Sequence, residues 1–403
     1  MAKVITDEKL IDKALSRGVE EIIGKEDLKK AMLSGQRLRI KLGIDPTSPN
    51  IHLGRSIPLL KLKDFQDLGH QIVFIIGDFT GVIGDTSDKE SERPMLDKKI
   101  VEQNMKNYEK QAGKILDIRK CEVQRNSKWL GKLKYAEIGT QADNFSLSDF
   151  ISRENIKKRL DAGVRVSLRE LLYPLMQGYD SVAIRSDVEL GGTDQRFNLL
   201  AGRKMQEAYK QKPQSVITGP ILEGTDGRKM SSSWGNTVNL TDEAKDMFGK
   251  IMSLPDNLII KYFTLATRVP EESIKEYEKA LAGSENPKKY KLKLAREIVR
   301  MYHGEKEATG AEENFEKLFS KKEIPDDILE LILGEAEISP VDLIILSGVA
   351  ESKSEAKRLI EQGALEVGGR IERDIHATIL AQDGDVVRVG KKYFARLRLS
   401  SGG

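Results

Sequence analysis

The chain has 403 residues, of which 39% are hydrophobic and 32% charged, and its formal net charge is +3. That balance belongs to a globular protein with a sizeable core and excludes the disordered and fibrous classes; the length exceeds one ordinary domain. With so little net charge, any nucleic-acid surface must be a local patch.

Leu38, Ile40, Leu42 and Ile44 alternate with Arg39, Lys41 and Gly43, which predicts a strand. The turn Asp45-Pro46-Thr47-Ser48-Pro49-Asn50 follows, and a helix begins near His52, with Leu53, Ile57, Leu60 and Leu68 at roughly helical spacing up to Gly69. Ile72-Val73-Phe74-Ile75-Ile76 then reads as a buried parallel strand. Strand, helix, strand within so short a stretch is a βαβ unit, so the fold class is α/β, with a doubly wound Rossmann-like parallel sheet and ligands at the carboxyl ends of its strands. The segment 119–155 interrupts this pattern. Ser167 with Glu170 forms a capping box that starts a helix, and Tyr173, Gln177 and Asp180 fall at i, i+4 and i+7 on one face. The stretches 213–220 and 324–340 read as short connectors. From Thr241 to about Pro325 the pattern is helical. Beyond Pro340, a cap at Ser352, a stop at Gly363 and a hairpin over 365–371 predict a small α+β module. The expected domains are 1–240, 241–325 and 338–403.

Cys121 is the only cysteine, which excludes an internal disulfide, and the four histidines lie far apart without metal-ligand spacing, so no protein-bound metal is expected. The first residues resemble neither a signal nor a transit peptide, and no 18-residue apolar run occurs. Cytoplasm is the expected address, with no membrane partner.

No GxGxxG or GxxxxGKS motif follows the first strand, which argues against a nicotinamide dehydrogenase and a P-loop. Phosphates must be held in another way. His52-Leu53-Gly54-Arg55 sits at a helix N-terminus, where free N–H groups and the dipole favour an anion. A histidine there is by itself more often a cap or a packed side chain. Lys229-Met230-Ser231-Ser232-Ser233 supplies a cation and a row of hydroxyl donors that could close on polyphosphate, although alone it reads equally as an exposed turn. Tyr173, Gln177 and Asp180 are an unusual core stripe, because each needs a hydrogen-bond partner when buried and a polar ligand could supply it.

Together the two motifs resemble the HIGH and KMSKS signatures of class I aminoacyl-tRNA synthetases. They depart from them at Arg55, which replaces a histidine, and at Ser232, which replaces a lysine and so leaves the balance of pyrophosphate charge open. Leu172-Tyr173-Pro174-Leu175-Met176-Gln177-Gly178-Tyr179-Asp180 and Glu189-Leu190-Gly191-Gly192-Thr193-Asp194-Gln195 resemble the tyrosyl branch. That resemblance implies ATP as a substrate, Mg2+ with its phosphates, L-tyrosine and tRNA(Tyr) as partners, and a homodimer built on 119–155. It implies that Thr47, His52, Arg55, Lys229 and Ser232 act in catalysis, and that Gly54, Lys89, Arg93, Gly192 and Asp194 hold ATP. Lys89 and Arg93 are the candidate replacement cations. Asp180 would accept the substrate phenol proton; Asp45, Asp85, Tyr173 and Gln177 would surround the α-ammonium group; and Gln195 would reach the carboxyl end. Lys41 occupies a first-strand position where many members of the branch carry tyrosine. The segment 241–325 resembles the branch's anticodon-side domain. The last module resembles the RNA-binding fold named after the fourth protein of the small ribosomal subunit, with Arg358, Arg370, Arg373, Arg388, Lys391 and Lys392 as a group of candidate phosphate contacts. The rival readings are a tryptophanyl enzyme and a noncatalytic RNA-binding or splicing factor derived from a synthetase.

Overall fold

The computed structural model describes residues 3–85, 95–320, 328–334, 336–350, 352–390 and 393–399. By contacts the chain divides into two compact units, 1–308 and 309–403. The boundary expected at 240/241 falls inside the first unit, and the division falls within the helix Glu305–Ser320.

The first unit is built on a six-stranded sheet: β1 (Glu21–Ile23), β2 (Arg39–Ile44), β3 (Gln71–Ile76), β4 (Glu122–Arg125), β5 (Val188–Gly192) and β6 (Ser215–Gly219). Its order is β1-β6-β5-β2-β3-β4, parallel throughout except for β1, which runs antiparallel to β6 at the edge. The chain winds outward from β2 through β3 to β4 and, on the other side, from β5 to β6. The switch point therefore lies between β2 and β5, and a crevice opens there at the carboxyl ends. Ile40, Leu42, Ile72, Val73, Phe74 and Ile75 are buried because helices cover both faces of the sheet.

Lys41, on the central strand β2, is completely buried. Two sequence expectations are corrected here. The stretch 213–220 contains β6, an inner strand; five residues ending in glycine are too few for a periodic signal. The segment 119–155 begins with β4, which pairs with β3, so the interruption of the sheet starts only after Arg125; its polar sequence Glu-Val-Gln-Arg carries no apolar run because it is an edge strand.

Helices from Ala244 to His303 pack within the first unit; Ile259–Ala266 lies against the helix Leu53–Asp67 that follows β2, and Tyr302 donates to Ser56 on it. Arg17 holds this arrangement from the N-terminal side. Its guanidinium donates to the carbonyls of Phe263, Thr264, Thr267 and Val269 at 2.7–3.1 Å, closing the C-terminal end of the helix Ile259–Ala266, and Arg268 reaches Asp64 Oδ1 at 2.8 Å. Orphan carbonyls at a helix end need such donors.

In the second unit β7 (Leu329–Leu333), β9 (Leu365–Val367), β10 (Arg370–Glu372), β12 (Val386–Val389) and β13 (Tyr393–Leu399) form a sheet of order β10-β9-β12-β13-β7, while β8 (Glu337–Ile338) pairs with β11 (Ile379–Leu380). The expected hairpin is β9–β10, turned by Gly368 and Gly369, both at positive φ, as its two-residue turn requires. Ser352 Oγ accepts from Glu355 N at the start of the helix Lys353–Glu361. The module begins earlier than 338, because β7 pairs in parallel with β13; the stretch 324–340 is thus not merely a connector.

Replacing Arg17 by Met removes the charged donor from four carbonyls, two of them at buried bonds and one, Phe263 O, still reached by the Thr267 hydroxyl, and should destabilise the protein by about 3 kcal/mol, since charged hydrogen bonds contribute roughly 1.5–3 kcal/mol each and partial rehydration recovers some of the loss. Urea unfolding followed by circular dichroism measures this; a change under about 0.5 kcal/mol would show that Arg17 does not hold the helix end.

Candidate active site

The crevice at the β2/β5 switch point is a cavity of about 280 Å³. Its walls include Asp45, Thr47, His52, Gly54, Arg55, Asp85, Tyr173, Gln177, Asp180, Gly192, Asp194, Gln195, Lys229 and Ser232, so candidates scattered from position 45 to 232 converge on one space. Lys89 and Arg93 lie outside the described residues. Among the described residues no group of three or more His, Cys, Asp or Glu could hold a metal ion.

His52 caps the helix Leu53–Asp67, its Nδ1 accepting from Arg55 N at 3.3 Å. Burial, with the nearby cations Arg55 and Lys229, pushes its pKa down to about 3. The ring is therefore neutral near pH 7, and with Nδ1 accepting, its proton sits on Nε2 as a donor. Arg55 is fixed by its own contacts: Nη2 donates to Thr47 Oγ1 at 2.9 Å and Nη1 to Tyr108 Oη at 3.0 Å, while the buried Tyr108 hydroxyl donates to Ser48 O. Its cationic fork is held at the mouth of the helix N-terminus.

The opposite wall is the 222–236 loop. Met230 is buried, and its sulfur accepts from Gly54 N at 3.3 Å, which joins the two motifs directly. Lys229 Nζ pairs with Asp194 Oδ2 at 2.8 Å, and Ser232 Oγ lies 3.4 Å from Ser48 Oγ. Asn236, which sequence reasoning missed, organises the loop: its Oδ1 accepts from Ser231 N and its Nδ2 donates to Lys229 O and Asp226 Oδ1.

At the inner end of the cavity, Tyr173 donates to Asp45 Oδ2 at 2.8 Å and Thr80 Oγ1 to Asp45 Oδ1 at 2.7 Å. Asn126 Nδ2 donates both to Thr80 Oγ1 at 2.8 Å and to Asp180 Oδ2 at 3.2 Å, and Trp129 Nε1 donates to Asp180 Oδ1 at 2.7 Å. A continuous chain of hydrogen bonds therefore ties Asp45 to Asp180. Burial lifts Asp45 to about 6, against the pull of the Thr80 and Tyr173 hydrogen bonds, and lifts Asp180 to about 7, against Lys41, Trp129 and Asn126. Gly77 makes room: a Cβ there would lie 2.1 Å from Asp45 Oδ1 and 2.4 Å from Thr80 Oγ1. Thr80, Asn126 and Trp129 escaped the sequence reading because they follow β3 and β4 as single polar or aromatic residues in no pattern; the only hint was that Trp129 is one of two tryptophans.

Residues 33–320 match the profile of tRNA synthetases class I (W and Y). A tyrosine–tRNA ligase of Thermotoga maritima is 48% identical over 387 residues, covering 96% of each chain, and one of Moorella thermoacetica is 44% identical, covering 95% of this chain and 94% of the relative. The chain belongs to the tyrosine–tRNA ligase family. Among solved structures, a C-terminally truncated mitochondrial tyrosyl-tRNA synthetase of Aspergillus nidulans superposes with a TM-score of 0.64 at 20% identity, covering 77% of this chain and 94% of that one. A tyrosyl-tRNA synthetase of Archaeoglobus fulgidus complexed with L-tyrosine gives 0.60, also at 20% identity, covering 75% and 99%. At that identity the likeness is one of fold.

In this synthetase the loop owes its shape to Asn236. Asn236→Ala should speed amide hydrogen exchange over 226–236 by about tenfold or more while leaving exchange in β2 and β3 unchanged, because loops open locally and core strands only globally. Unchanged loop exchange would mean that Met230 alone secures it.

Proposed function

We infer that the chain is a tyrosine–tRNA ligase in which the outer part of the cleft activates ATP and the inner part selects the amino acid. The observation that carries this reading is the meeting of His52, Arg55 and Lys229 with Tyr173, Gln177 and Asp180 in one cavity. A carboxylate oxygen of tyrosine attacks the α-phosphorus of ATP as the bond to pyrophosphate breaks, giving tyrosyl-adenylate. A terminal ribose hydroxyl of tRNA(Tyr) then attacks the acyl carbon and AMP leaves. No side chain need act as nucleophile, so the protein aligns the reactants and stabilises charge on the phosphates.

The neutral His52 offers its Nε2 proton, Arg55 its fixed fork, and Thr47, Lys229 and Ser232 further donors, to the transferring and leaving phosphates. Lys89 and Arg93 are candidates to complete the charge balance. Gly54, Gly192 and Asp194 hold the nucleotide. Mg2+ comes with the ATP phosphates, neutralises their oxygens and is assigned to no residue. Asp45, Tyr173, Gln177 and Asp85 surround the α-ammonium, Gln195 reaches the carboxyl end, and Asp180 accepts from the phenol. A buried carboxylate held by Trp129 and Asn126 suits a donor on the substrate ring, and the identity of 48% to a tyrosine–tRNA ligase favours the phenol over the indole of the tryptophanyl reading. A complete cleft disfavours a noncatalytic RNA-binding protein.

The helices after 241 would serve the anticodon side of the tRNA and the last module its phosphates, through Arg358, Arg370, Arg373 and Arg388; Lys391 and Lys392 fall outside the described residues. A homodimer through 119–155 accords with Tyr135 and Leu147, which are 93% and 63% exposed. No helix among the described residues is long and apolar enough to cross a membrane; we place the reaction in the cytoplasm, with the tRNA it charges.

Amino-acid-dependent exchange of labelled pyrophosphate into ATP tests the reading. Tyrosine should drive it; exchange with tryptophan alone would select the rival enzyme, and none with any amino acid the noncatalytic reading. Lys229→Ala should slow adenylate formation by about 10²-fold or more, as for the loss of a transition-state donor, while tyrosine affinity changes little. Equal loss in both would remove the role given to Lys229.

The raised carboxyls set a pH dependence. Because Asp45 and Asp180 bind protons more tightly folded than unfolded, their contribution to stability is complete below the ordinary carboxylate range and is lost as pH rises through about 6 and about 7. Tyrosine capture runs the opposite way, since the ammonium needs an ionised Asp45 and the phenol an ionised Asp180. In the free enzyme kcat/KM for tyrosine should therefore fall as pH drops from about 8 to about 5.5, with apparent pKa values belonging to the linked pair. A flat profile would show that neither carboxyl titrates in that range.

A further inference from the structure

Beneath the amino-acid end of the cavity lies an ion pair that none of the assigned roles uses. Lys41 on β2 and Glu189 on β5 are register partners across adjacent parallel strands, and both are essentially inaccessible to solvent. The lysine ammonium has three protons and three acceptors: Glu189 Oε1 at 2.8 Å, Ser181 Oγ at 2.8 Å and Gln177 O at 2.9 Å. Glu189 in turn accepts from Gln177 Nε2 at 3.0 Å, from Ser181 Oγ at 3.1 Å and from Gln214 Nε2. The backbone of the neighbouring helix closes over this cluster at Gly202, where a Cβ would lie 2.5 Å from Gln214 Nε2 and 3.0 Å from both Glu189 Oε2 and Ser181 Oγ.

Asp180 lies between the two residues that Lys41 grips. Positions 177 and 181 are one turn apart on the helix Leu168–Ile184, so the lysine fixes the turn that carries Asp180 and also the carboxylate that orients the Gln177 amide. We propose that Lys41 is the positioning residue for amino-acid selection: with its ammonium fully engaged by the protein it gives nothing to the substrate, and it acts by pinning the Gln177–Asp180 face of the helix to β2 and β5. It also places a positive charge behind Asp180, where it is the strongest force opposing the upward push of burial. The inference rests on Asp180 being the acceptor of the substrate hydroxyl.

The test is pyrophosphate exchange by the full-length enzyme with tyrosine and with phenylalanine, which lacks the hydroxyl. Asp180→Asn calibrates the assay and should lower the ratio of kcat/KM for tyrosine over phenylalanine by about 10²-fold or more, because a site built for a hydroxyl discriminates through it. Lys41→Met should lower that ratio by about tenfold through a raised tyrosine KM, with a smaller loss for phenylalanine through the shared Gln177 contact and the ATP KM within about twofold of the parent. Equal losses for the two amino acids would make Lys41 merely structural and overturn the proposal, as would an unchanged ratio. A ratio unmoved in Asp180→Asn would remove the role of Asp180 and this inference with it; a fall there without one in Lys41→Met removes only the inference. Should Lys41→Met fail to fold for want of a partner to Glu189, Lys41→Met/Glu189→Gln removes both charges together, and Ser181→Ala removes one acceptor while leaving the pair intact. The ratio must fall in each variant that folds, by about threefold in Ser181→Ala, and a parental ratio in either overturns the proposal.

Discussion

A lysine and a glutamate removed from water at the crossing of β2, β5 and the helix Leu168–Ile184 constrain everything above them. Stripping two ions of solvent costs several kcal/mol each, and only a fully satisfied geometry offsets it. Here the lysine protons are all used and both glutamate oxygens accept, so the cluster has one arrangement in which it is affordable. The elements it joins carry the inner wall of the cavity: Asp45 just beyond β2, Tyr173, Gln177 and Asp180 on the helix, Gly192 at the end of β5. A pocket meant to distinguish one hydroxyl needs walls that do not yield, and this is where the rigidity originates.

The two carboxyls of the inner cavity show what that rigidity is for. Asp180 is buried and Asp45 half-buried, and both are pushed toward neutrality, yet neither is surrounded by apolar groups alone. Tyr173, Thr80, Asn126 and Trp129 aim donors at them. These donors hold the carboxyls in place and limit the upward shift, so each stays ionisable near physiological pH. On the proposed assignment, a substrate bringing a cation to Asp45 and a hydroxyl to Asp180 would complete what the protein leaves partly compensated. The outer cavity uses another device: a neutral histidine and an arginine, both set by the turn after β2, face a loop whose lysine is the movable part.

Much of this was legible in the chain itself. The motifs around His52 and Lys229 pointed to the family that the comparisons show, because a helix N-terminus and a cationic hydroxyl-rich loop make sense together where neither does alone. Helical period put Tyr173, Gln177 and Asp180 on one face, and the capping box at Ser167 fixed where that helix starts. What stayed hidden depends on which strands are neighbours. That Lys41 and Glu189 are buried partners follows only once β2 and β5 are known to be neighbours. Asn126 and Trp129 come from a polar edge strand, and β6 is too short to announce itself. Local pattern reports the period of an element, whereas burial of its polar residues is decided by sheet order, which only tertiary structure supplies.

The pairing of Lys229 with Asp194 bears on how the cleft fills. The two side chains retain 30% and 23% of their exposure, and ion pairs so open to water contribute at most about 1 kcal/mol, roughly a fivefold bias in population. A catch that weak holds the lysine side chain at rest without becoming a lock, while Asn236 and Met230 hold the loop itself. On the roles proposed for Lys229 and Asp194, an arriving polyphosphate would draw the lysine away for a small fraction of its own binding energy, and in doing so would free a carboxylate for the sugar of the same molecule. One contact would thus be exchanged for two, and the nucleotide would release the residue proposed to hold it.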